Sequence, residues 1–138
     1  MKTDTLPDKL SDLLEIALDD LELVEADPHY AVNMNQWHNI SSVNGICHVC
    51  LAGAVMAGTL RADPGQHTMP IDYPRDVRRK LLTLDAFAMG DIHMGFRDSS
   101  IPPDPDFPDI DIPEYSVDPE GFKQTLRDLI PELRAKNY

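Results

Sequence analysis

The chain has 138 residues, 42% of them hydrophobic and 26% charged, which suits one domain with a substantial buried core. Its 24 Asp and Glu against 12 Lys and Arg leave a net charge of −12, which argues against direct binding to nucleic acid or anionic lipid. The longest apolar stretch, 46–60, is interrupted by His48, Gly53, Gly58 and Thr59. It falls short of the roughly 20 apolar residues that a membrane span needs.

The N-terminal residues MKTDTLPDKL are polar and acidic with no apolar segment, so a cytoplasmic location with reduced Cys47 and Cys50 is expected. Charge is unevenly spread. No Lys or Arg occurs between Lys9 and Arg61, whereas Arg75, Arg78, Arg79 and Lys80 cluster.

A first helix is predicted over residues 6–26, with Thr5 as N-cap and Pro7 in the first turn. Leu10, Leu13, Leu14, Ala17, Leu18, Leu21 and Val24 follow the spacing of one buried face. Asp8, Asp12, Glu15, Asp19 and Glu22 fall on the opposite side. Asp27-Pro28 ends the helix, since the residue before proline avoids the α region. Residues 29–45 are rich in Asn and Ser and show no helical period. They suggest a short extended piece around residues 30–34, a turn at Asn44-Gly45, and Trp37 inserted into the core.

A second helix is predicted over 46–60, apolar nearly all round and therefore central. Its Gly53, Ala54, Ala57 and Gly58 would let a neighbouring backbone approach closely. A third helix over 74–89 presents Val77, Leu81, Leu84 and Ala88 on one face and stops at Gly90. Residues 98–118 form an acidic, proline-rich arm, with Ile101, Phe107, Ile110, Ile112 and Tyr115 to hold it on the body. A last helix over 119–135 carries Phe122, Leu126, Leu129, Ile130 and Leu133, with Pro131 expected to kink or split it. The sequence thus predicts a mainly α single domain, 1–138, of about four helices with irregular or short extended segments and a Pro-rich acidic arm.

The stretch GICHVCLAG is the most suggestive chemical motif. A redox Cys-x-x-Cys needs a thiol at a helix N-terminus, a buried strand running into it and a cis-proline on a later strand. Here the preceding NISSVNG is a polar turn and Pro70 follows too soon. Zinc is a second possibility, with Cys47 and Cys50 as half a site and His38, His67, His29 or His93 completing it, but no second closely spaced ligand pair exists. A Cys nucleophile with His93 and Asp91 lacks any sign of an oxyanion hole. The structural alternative places Cys47 and Cys50 one helical turn apart as small buried side chains, with no cofactor; zinc is the cofactor alternative.

Asp104, Asp106, Asp109 and Asp111 invite a calcium reading, but the segment lacks the EF-hand glycine and has prolines where the loop would curl. No phosphate-binding loop, dinucleotide fingerprint, zinc-protease motif or nucleophile elbow occurs, so an enzyme is disfavoured.

The acidic stripe of the first helix has no neighbouring base in the sequence to pair with. It is either a solubilising face or, with the acidic arm, a surface for a basic partner. Asp8, Asp12, Glu15, Asp19, Glu22, Asp104, Asp106, Asp109 and Asp111 are the candidate partner-binding residues.

Trp37 followed by Cys50, Gly53 and Ala54 resembles a motif of small uncharacterised phage and actinobacterial proteins, in which a Trp precedes a Cys-x-x-Gly-Ala helix start. The resemblance covers under a fifth of the chain and implies a small, largely helical accessory protein of phage or mobile-element origin, without catalytic residues to carry over. The expected function is a small acidic, non-enzymatic interaction protein, an accessory factor or inhibitor binding a basic protein surface. The alternatives are a metal- or cysteine-dependent enzyme or binding module using Cys47 and Cys50, and a homo-oligomer joined through the small-residue helix.

Overall fold

Helix α1 (Leu10–Glu25) shows how the apolar period becomes a core. All seven apolar positions on its predicted inner face are at most 3% exposed. The computed structural model describes residues 6–91, 94, 107 and 110–138. Among these, α1 begins at Leu10 and not near residue 6, with Lys9 at the N-cap and no side-chain cap hydrogen bond. Thr5 lies outside the described residues. The first turn is satisfied instead from the far end of the chain, where the Tyr138 carbonyl accepts from both the backbone N–H and the hydroxyl of Ser11.

The predicted mainly α fold needs correction to a helix-dominated mixed one. Residues 29–49 contribute a three-stranded sheet: β1 (Tyr30–Val32), β2 (His38–Ile40) and β3 (Cys47–Val49), in the order β1-β3-β2. β3 pairs parallel with β1 and antiparallel with β2, and Val49 stands opposite Val32 and His38. The β2–β3 turn depends on Gly45 at φ +71°, a left-handed conformation that suits glycine, while Asn44 Oδ1 accepts from the Ile46 N–H at 3.0 Å.

The predicted helix 46–60 is therefore two elements. Residues 47–49 are the central strand, and only Leu51–Ala57 form helix α2. A short apolar run reads as buried helix or buried strand with equal ease, and the edges offered by β1 and β2 decide in favour of strand. Cys50 separates the two as the N-cap, its Sγ accepting from the Gly53 N–H at 3.3 Å. At the other end the buried carboxylate of Asp20 accepts from the Thr59 N–H and hydroxyl, at 3.1 and 2.6 Å.

The small residues of α2 are used inside the chain. A Cβ on Gly53 would lie 1.6 Å from the Trp37 carbonyl oxygen, and one on Gly58 would lie 2.4 Å from the Asp20 carboxylate. Gly53 and Ala54 are thus buried against the chain's own body, while Ala57 and Gly58 are half-buried.

A short 3-10 turn (Pro70–Asp72) leads into α3 (Arg75–Ala88), after which Gly90 adopts φ +83°. The last helix, α4 (Pro119–Ala135), is capped by Asp118, whose carboxylate accepts from the Gly121 N–H at 3.0 Å. α4 runs unbroken through Pro131, because its buried Leu126, Leu129, Ile130 and Leu133 hold it against the body on both sides of the proline. α1 packs against α4 and α2, and α2 packs against α3. Of the proposed arm, Phe107 is buried and Ile110, Ile112 and Tyr115 pack partly buried on the core; Ile101 lies outside the described residues. Among the described residues no helix is long and apolar enough to cross a membrane.

Candidate functional site

The acidic stripe is not free of bases. Arg127 and Arg134 stand two turns apart on α4, the same spacing that separates Asp12 from Asp19 and Glu15 from Glu22 on α1. With the two helices antiparallel, Arg134 Nη2 reaches Asp12 at 3.3 Å and Glu15 at 3.0 Å. Arg127 Nη2 reaches Glu22 at 2.6 Å and Asp19 at 3.8 Å. The Arg127 hydrogen bond holds the Glu22 carboxyl below its ordinary pKa. These partners lie more than a hundred residues apart in the chain, which is why the stripe looks unpaired in sequence.

The seam continues at Glu25, which pairs with the largely buried Lys123 at 2.8 Å and accepts from the Tyr115 hydroxyl. Asp8 pairs with Lys80 at 2.8 Å, and this hydrogen bond lowers its pKa. Lys80 also donates to the Leu6 carbonyl, so one member of the basic cluster serves to fasten the segment before α1. Asp111 is exposed. Asp104, Asp106 and Asp109 lie outside the described residues.

Cys47 and Cys50 are both fully enclosed, one on β3 and one at the cap of α2, and not on one helix face. Burial pushes the Cys47 thiol up to about 11 and the Cys50 thiol up to about 12. Thiols so reluctant to ionise are poor nucleophiles. His38 is buried on β2, whereas His67 is exposed on the loop before the 3-10 turn and His29 pairs with Asp27 at 2.8 Å. His93 lies outside the described residues. Among the described residues, no group of three or more His, Cys, Asp or Glu side chains is arranged to hold a metal ion.

A different site lies on the outer face of the sheet. Strand alternation turns Cys47 and Val49 into the core and leaves His48 on the other side, directly opposite Asn39 of β2. Asn33 and Gln36 from the β1–β2 loop, Ser41 and Ser42 after β2, and His67 close around this pair to form an open groove of about 460 Å³. A second recess of about 290 Å³ shares Gln36, Asn39 and His67 with it and adds Trp37, His38 and Met69. Sequence reasoning did not single out Asn33, Gln36, Asn39 or His48. The one available signal was the density of carboxamides and hydroxyls in NMNQWHNISSVN, which also describes an ordinary loop.

The loop is anchored from behind. The Trp37 carbonyl sits on Gly53, and Cys50 holds the first turn of α2 in place. Trp37, Cys50, Gly53 and the buried Ala54 are therefore one packed unit. On the other side, the Thr68 N–H donates to the His38 carbonyl, and His38 Nδ1 bonds the Gln66 carbonyl, both at 2.9 Å. Comparison of the chain with family models, curated proteins and solved structures gives no match.

Proposed function

We propose that the chain is a small, non-enzymatic interaction protein whose α1–α4 face docks on a basic surface of a partner protein. The supporting observation is a charge imbalance held in a fixed frame. Each of two arginines is bracketed by two carboxylates, so each trio keeps one net negative charge. The pairing also limits the side-chain freedom that a partner would otherwise have to remove, and ordered charges bind with less entropic cost. The buried, high-pKa thiols count against a cysteine-nucleophile alternative. In line with the resemblance at Trp37 to Ala54, the role is that of an accessory factor or inhibitor of phage or mobile-element origin.

The test compares the native chain with the variant Asp12→Asn/Glu15→Gln/Asp19→Asn/Glu22→Gln, both immobilised and exposed to an extract of the source organism at low and high salt. The expected result is one basic protein, identified by mass spectrometry, that the native chain retains at low salt and releases at high salt. The variant should fail to retain it. Equal retention by the two chains, or no salt-sensitive binder, would overturn the proposal.

A further inference from the structure

We infer that the groove on the outer face of the sheet binds a neutral, hydroxyl-rich small molecule of the saccharide class. The first ground is charge. In a chain of net charge −12, neither the groove nor the adjoining recess is lined by a carboxylate, lysine or arginine among the described residues. Apart from imidazoles the wall is built of uncharged groups, and the field of the whole protein repels phosphates and other anions. A neutral ligand is left.

The second ground is hydrogen-bond accounting. Gln36 Oε1 accepts from Asn39 Nδ2 at 2.7 Å, which leaves the Gln36 amide donors and the Asn39 carbonyl oxygen side by side. Asn33 Oδ1 is occupied by the Asn35 N–H, so its own amide group remains a donor. The rings of His48 and His67 make no hydrogen bond among the described residues, and each neutral imidazole offers one donor and one acceptor. Donors and acceptors therefore alternate over a short distance. A hydroxyl group both donates and accepts, so neighbouring hydroxyls on a sugar ring satisfy such a wall, whereas an apolar ligand would leave it unpaired.

The third ground is the recess. Trp37 and Met69 give it an apolar side, next to the shared carboxamides, which matches the C–H face and hydroxyl edge of a pyranose ring. His38, 1% exposed, also lines it, and its Nε2 is buried without a hydrogen-bond partner among the described residues. Buried polar atoms are nearly always satisfied, so the ring of His38 is a wall group whose second nitrogen still lacks a partner from the described residues. The groove's volume is also within the range usual for small-molecule sites.

The experiment titrates the full chain with maltose, lactose and N-acetylglucosamine, with adenosine as a neutral non-sugar comparison. The readouts are the side-chain amide resonances of Gln36 and Asn39 and the indole resonance of Trp37. At least one sugar should give saturable shifts at these three residues, with affinity weakened about tenfold in His67→Ala and in Asn39→Ala. His67 is exposed, so His67→Ala tests the site even where Asn39→Ala disturbs the loop. No shift with any sugar, shifts confined to other residues, unchanged affinity in His67→Ala, or binding of adenosine alone would each overturn the inference. The four-carboxylate variant should bind the sugar normally, which separates this site from the α1–α4 face.

Discussion

The α1–α4 seam and the sheet groove are built from opposite kinds of polarity. The seam gathers ionised groups at the surface, two carboxylates to each arginine, and keeps a surplus of negative charge. The groove gathers carboxamides, imidazoles and hydroxyls and, among the described residues, contains no Lys, Arg, Asp or Glu. Each seam helix draws its charged row from one continuous stretch of sequence. The groove draws its wall from the segments around residues 33–36, 39–42, 48 and 67. Surface charge can therefore be altered with little effect on the core, whereas the groove is tied to the core through Trp37, Gly53 and Cys50.

The sharpest way to break this contrast is at Gly53. Replacing it with Ala drives a Cβ into the Trp37 carbonyl, and stability should fall by about 3 kcal/mol or more in urea denaturation. A loss below about 1 kcal/mol would mean that the groove loop is not seated on α2 as described.

A second prediction concerns pH. Burial lowers the His38 pKa below its ordinary 6.5, so the folded state resists protonation that the unfolded chain accepts. Stability is then full above the unfolded value and is lost as pH falls below it, by at most about 1.4 kcal/mol per pH unit. Urea unfolding at about pH 7.5 and about pH 5.5 should show the loss, and His38→Asn, which keeps a donor near the Gln66 carbonyl, should reduce it. Equal pH dependence in the two chains would remove His38 as the cause.

In the seam, Arg127→Ala should cost only about 0.5–1 kcal/mol, since the pair is partly exposed, and the difference should shrink in high salt. A salt-independent loss would point to packing of the arginine stem instead. The smallest effect is expected at His67→Ala. Its stability should stay within about 0.5 kcal/mol of the native chain, as read by a calorimetric melt, while a ligand titration of the same variant shows the loss of sugar affinity.

The inner faces of the long helices were legible from spacing alone. Leu10 to Val24, Val77 to Ala88 and Phe122 to Leu133 place their apolar residues at helical period, and these side chains are buried. Burial of Cys47 and Cys50 was legible too, from their place in an apolar run. Their setting was not. Cys47 lies in a strand only because β1 and β2 flank it, and Cys50 caps a helix only because the strand ends there. Nor could the stripe on α1 reveal its arginines, which come from the other end of the chain.

The sequence by itself determined the net charge, the amphipathic helices and the kind of polarity available, because each depends on composition or on a local repeat. Only the tertiary structure decided which carboxylates are paired, which face of β3 carries His48, and which carboxamides share a groove. Those depend on groups far apart in the chain meeting across a sheet or between helices, and no local spacing encodes such a meeting.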